Sequence, residues 1–128
     1  MTKVRGVRGA TTADSNNRDD ILEATTELIR ELVKANDIDS DDIASAFFST
    51  TPDLNAAFPA TAARHMGWEY VALMSGQEMS VPGGQPRCIR VLLLVNTDKS
   101  PKEIQNVYLK DAMNLRARDG GVNLATAD

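Results

Sequence analysis

Apolar and polar positions alternate at the strand period through residues 3–10, which puts Val4, Gly6, Arg8 and Ala10 on one face and leaves Arg8 near the strand's end. After a polar stretch, Ile21, Leu22, Thr25, Leu28, Ile29, Leu32 and Val33 recur at helical spacing, predicting an amphipathic helix over residues 18–35. The acidic connection around Asp39 to Asp42 gives way to an apolar run, residues 43–50, that reads as a second strand. Strand, helix and strand in that order suggest a parallel crossover. Thr51, Pro52, Asp53 and Leu54 form a turn, and Phe58 and Pro59 open a short second helix that Gly67 stops. A third strand is expected over residues 69–74, followed by a loop that carries Glu78. The strongest strand pattern covers residues 88–95, and a short helical segment is expected from Ser100. The order β-α-β-α-β-β predicts an α+β fold with a mixed four-stranded sheet and both helices on one face.

Two features of this pattern bear on function. Ile89, Val91, Leu93 and Val95 oppose Cys88, Arg90, Leu92 and Leu94, so both faces of the fourth strand are largely apolar. With two helices for one face, the other is expected to pack in a symmetric oligomer. Arg90 lies in the middle of that run, where a guanidinium loses several kcal/mol of hydration unless an anion meets it. On the residues alone, a ligand's negative charge and a salt bridge to Glu78 or to a neighbouring subunit serve equally well.

Composition narrows the classes. A chain of 128 residues, 42% hydrophobic and 25% charged, fits one domain able to bury its own core without a staple. Residues 1–118 are expected to form that domain and 119–128 a mobile polar tail. One cysteine, Cys88, and one histidine, His65, make a metal site improbable. The N-terminal residues lack a signal-peptide core and no run reaches membrane-spanning length, so a cytoplasmic protein without membrane contact is expected. A net charge of −4 argues against nucleic acid as a partner. Within the 14 basic residues arginine outnumbers lysine, a choice suited to gripping a small anion in bidentate fashion.

Several blocks in order resemble the monofunctional chorismate mutases of the bacillus type. They are Arg5 to Thr12, Thr51-Pro52-Asp53-Leu54 with Ala57-Phe58-Pro59-Ala60, Gly67-Trp68, Gln77-Glu78-Met79, Gly83-Gly84, Cys88-Ile89-Arg90-Val91, Val107-Tyr108-Leu109 and Leu115-Arg116. The resemblance covers nearly the whole chain and implies a homotrimer with a barrel-like core and active sites between subunits. Chorismate would be the substrate and prephenate the product of a Claisen rearrangement that needs no cofactor. The resemblance makes Arg90 the group that meets the ether oxygen and Glu78 the acceptor for the ring hydroxyl. Arg8 and Tyr108 would bind carboxylates, Phe58, Ala60 and Leu115 would form apolar walls, and Arg64 and Arg116 would stand at the cleft mouth. Ser75 replaces a common cysteine and would still pair with the substrate hydroxyl or Glu78, whereas Thr61 replaces a common lysine. The stretch around His65-Met66-Gly67 is one residue shorter than the family pattern. Competing readings are a trimeric enamine or imine deaminase of related fold, which the Glu78 and Tyr108 blocks disfavour, and a non-catalytic binder of a small dicarboxylate.

Overall fold

The computed structural model describes residues 1–115. Its elements are β1 (Lys3–Thr12), α1 (Arg18–Asn36), β2 (Ile43–Thr50), α2 (Ala60–His65), β3 (Ala72–Gln77), β4 (Cys88–Thr97) and β5 (Val107–Tyr108). Short 3₁₀ turns cover Ser40–Asp42, Pro101–Glu103 and Lys110–Leu115. The strands form one mixed sheet in the order β3-β2-β4-β1-β5. Both β1 and β2 run antiparallel to β4, so the β1-α1-β2 unit is a parallel crossover with β4 inserted between its strands.

Helix α1 begins where Asn17 leaves the helical conformation and its side chain accepts the Asp20 N–H at 2.8 Å. Asp19 and Asp20 then lie at the positive end of the helix dipole. At the other end Asp37 takes a left-handed φ of 52° and closes the helix through its N–H to the Val33 carbonyl. The apolar stripe Leu28, Ile29 and Leu32 packs with Ala60 and Ala63 of α2 against Val7, Phe48, Val91 and Leu93 of the sheet. Gly9 permits this approach, since a Cβ there would lie 2.7 Å from Leu32 Cδ1 and 3.0 Å from Leu28 Cδ1. Both helices therefore cover one face, as the sequence pattern predicts.

Two expectations require correction. The sheet has five strands rather than four, because Val107 and Tyr108 pair in parallel with Gly9 and Ala10. A two-residue strand is too short to show a period of two; it forms because buried Asn36 holds the preceding segment. The Asn36 side chain accepts the Gln105 N–H at 2.7 Å and donates to the Gln105 carbonyl at 2.8 Å. The third strand lies at Ala72–Gln77, displaced toward the C-terminus from residues 69–74. Trp68 and Val71 are buried in the core from an irregular connection, while pairing with β2 starts only at Ala72 opposite Ser45. Ser75, Gly76 and Gln77 thus belong to the strand, and Glu78 immediately follows it.

The second sheet face is open. Val4, Phe47, Met74, Leu92 and Leu94 remain exposed on it, and even Leu94 in the central strand is 37% accessible.

Candidate active site

Arg90 is the third residue of β4, opposite Ala10 on β1 and Ser49 on β2. Its alternation with buried Ile89 and Val91 directs it to the open face, among Cys88, Leu92 and Leu94. The Glu78 main-chain N–H donates to the Thr50 carbonyl at 2.9 Å, which fixes its backbone at the end of β3. Its carboxylate turns back over the sheet. Arg90 Nη1 lies 3.6 Å from Glu78 Oε1, and the Ser49 hydroxyl donates to Glu78 Oε2. Both members of the ion pair are about 70% covered, at 31% and 29% side-chain exposure, so water screens them incompletely.

A cleft of about 540 Å³ opens beside the pair, lined by Thr51, Asp53, Met79, Val81, Cys88 and Leu115 among others. A second, of about 340 Å³, holds Arg8, Phe47, Gln77 and Leu92. Arg90, Glu78 and Met79 line both, so the ion pair stands on their shared wall. Such an arrangement presents a fixed cation and a fixed hydrogen-bond acceptor side by side, with Arg8 as a further cation in the adjoining space. It suits a small polar anion.

The wall below Arg90 is held by a clip between the turn after β2 and the start of β4. Thr51 Oγ1 accepts the Cys88 N–H at 2.9 Å and donates to Asp53 Oδ1 at 2.5 Å, while Asp53 Oδ2 accepts the Arg87 N–H at 2.8 Å. These bonds hold Arg87 at a left-handed φ of 48°, a backbone state unfavourable for a side chain of that size. Burial raises the Asp53 carboxyl, but the Thr51 hydroxyl, the main-chain N–H groups of Arg87 and Asp53, and the Arg87 charge together hold it below the usual carboxylate range.

The other residues singled out in the sequence fall into two groups. Tyr108 is buried behind the cleft with Ala10, Cys88, Ala112 and Leu115, and Leu115 reaches the cleft itself. Phe58, Ala60, Arg64 and Ser75 line neither cleft. Ala60 is buried in the helix-side core, Phe58 is 69% exposed just before α2, and Arg64 is exposed in the last turn of α2. Ser75 is two residues beyond Leu73, which packs half-buried against the helix-side core, and so shares that face, opposite to Arg90. Arg116 lies outside the described residues, as does the 119–128 tail. Among the described residues no group of three His, Cys, Asp or Glu side chains is placed to hold a metal ion, and no helix is long and apolar enough to cross a membrane.

Sequence reasoning did not single out Ser49 or the Thr51–Asp53 clip. Ser49's polarity within an apolar strand was visible, but its pairing with Arg90 depends on β4 lying beside β2, which no local pattern specifies.

Residues 4–119 match the family model of chorismate mutase type I. The chain is 41% identical over 114 residues to chorismate mutase AroH of Bacillus subtilis, covering 88% of this chain and 90% of that protein. To chorismate mutase AroH of Thermus thermophilus it is 46% identical over 114 residues, covering 88% and 93%. A solved structure of a chorismate mutase from Clostridium thermocellum superposes with a TM-score of 0.86 at 49% identity, over 87% of this chain and 99% of that one.

Proposed function

The chain belongs to the type I chorismate mutase family, and we propose that the cleft beside Arg90 and Glu78 is where it carries out that family's reaction. It is an isomerase, converting chorismate to prephenate. In this rearrangement the ether C–O bond breaks as a new C–C bond forms within one molecule, with no proton transferred and no group donated. The enzyme's contribution is to hold the reactive conformer and to stabilise charge as it separates.

Arg90 faces the ether oxygen, on which negative charge grows as the bond breaks, and therefore binds the transition state more tightly than the ground state. Glu78 accepts the ring hydroxyl and faces the ring fragment as it becomes electron-poor. Arg8 and Tyr108 bind the carboxylates, with Leu115 as apolar wall. The observation that carries this reading is the placement of Arg90 against Glu78 at 3.6 Å on the wall of a cleft large enough for a small dianion.

The site is completed by a second copy in a homotrimer. Phe58, Ala60, Arg64 and Ser75 lie on the α2 and β3 side of the molecule, away from the face that carries Arg90. That separation supports a cleft closed by the α2–β3 edge of a neighbouring chain, and the exposed apolar face of the sheet supplies the contact surface.

Following chorismate by its ultraviolet absorbance, with prephenate converted by acid to phenylpyruvate, tests the assignment. The wild type should turn over, and Arg90→Ala should lose about 3 kcal/mol or more of transition-state stabilisation, roughly 100-fold in kcat. A folded wild-type protein that leaves chorismate unchanged, or an Arg90→Ala variant with near-normal kcat, would overturn it.

A further inference from the structure

Ser49 is the one polar side chain of β2 that is buried on the open face of the sheet, at 8% exposure, while its neighbours on that face include Phe47, Leu92 and Met74. A hydroxyl removed from water needs a hydrogen-bond partner, and here the partner is an ionised side chain, Glu78. We propose that Ser49 is a positioning residue for the rearrangement: its hydroxyl fixes Oε2 of Glu78 and so keeps Oε1 directed toward the cleft and short of full contact with Arg90. This inference rests on the chorismate mutase reading of the same site.

The geometry gives the reason. Glu78 hangs from the end of the edge strand β3, where its backbone is tied only through its N–H to Thr50 among the bonds described. Ser49 and Arg90, in contrast, are directly paired residues of neighbouring strands, so their relative position is set by the sheet. One carboxylate oxygen is engaged by Ser49 and the other stands 3.6 Å from Arg90 Nη1. An Arg–carboxylate pair left to itself closes to a shorter, often bidentate contact at about 2.8 Å. Such a contact would consume the acceptor that the substrate hydroxyl needs and mute the cation that the ether oxygen needs. By engaging Oε2, Ser49 keeps the two carboxylate oxygens from turning together onto the Arg90 fork.

The test is a double-mutant cycle on the full chain, with Ser49→Ala, Glu78→Ala and the combined variant, and with Ser49→Thr as the conservative replacement that keeps the hydroxyl. Ser49→Ala should lower kcat about 10-fold through misplacement of Glu78, with a smaller change in KM, and Ser49→Thr should recover most of it. In the Glu78→Ala background the same replacement should change kcat less than about twofold, because a residue that acts through Glu78 has nothing left to position. An equal loss in both backgrounds, or a Ser49→Ala kcat within about twofold of wild type, would overturn the proposal. If the wild type itself leaves chorismate unchanged, the functional reading fails, and a crystal structure of Ser49→Ala then decides the positioning claim. Glu78 should leave its wild-type position there, closing on Arg90 or spreading over several rotamers; an unmoved carboxylate overturns it.

Discussion

Asp53 ties the turn after β2 to Arg87, the residue just before β4 and three positions before Arg90, and it does so as an anion. Hydrogen bonds from Thr51 and Arg87 favour the charged form by more than burial disfavours it, so the folded protein binds a proton at this carboxyl less readily than the unfolded chain does. The stabilisation is therefore fully present above the usual carboxylate range and is lost as pH falls through the lower, folded value. Asp53→Asn should destabilise the protein at neutral pH, with the difference from wild type shrinking as pH falls below about 4. Urea unfolding of both proteins across that range checks it; a difference independent of pH would remove the charge from the explanation. The strained φ at Arg87 is held by the same clip, which is how the turn on the cleft wall comes to set the direction of β4.

Helix α1 lies at the centre of the fold because it meets β1, α2 and β5 together. Its position depends on two devices of different strength. Asn17 satisfies an otherwise orphaned N–H of the first turn, and Asn17→Ala should cost about 1 kcal/mol of stability. Gly9 lets the helix close on β1, and Gly9→Ala forces Leu28 and Leu32 from their places, an overpacking that should cost about 1–3 kcal/mol. Thermal or denaturant melts of the two variants should rank them in that order; an unchanged melting point for Gly9→Ala would show that the leucine side chains adjust freely. At the far end, Asn36 joins the helix to Gln105, and its carbonyl accepts Lys99 Nζ at 2.6 Å. That junction sets β5 beside β1 and so places Tyr108 next to Ala10 and behind the cleft.

For the whole molecule, the question is what covers the second face of the sheet. Val4, Phe47, Met74, Leu92 and Leu94 leave it apolar over four strands. In the proposed homotrimer this face is buried, and the hydrophobic effect acting on it holds the copies together. Leu94→Glu puts a charge on that surface without altering any residue that lines the Arg90 clefts. It should shift the mass measured by light scattering at micromolar concentration from trimer to monomer and reduce turnover with it. A monomeric wild type would sink the assembly, and a fully active monomer would sink the intersubunit site.

The sequence by itself determined the elements and the chemistry of the central strand. The periods of two and 3.6 gave β1, α1, β2 and β4 nearly to their ends, because these stretches are long and each has one buried face. A lone guanidinium in an apolar strand identified Arg90, and the ordered blocks around it identified the family. Tertiary structure decided what depends on contacts between distant segments. The strand β5 exists because Asn36 reaches Gln105, β3 starts where β2 offers pairing partners, and Trp68 and Val71 are buried without being in a strand. Ser49 gained its place beside Arg90 only when β4 entered between β1 and β2, since cross-strand register is a property of the sheet and of no single segment. Likewise, the family resemblance assigns Phe58 and Ser75 to one cleft with Arg90, but the pleat and the helix layer put them on the other side of the chain.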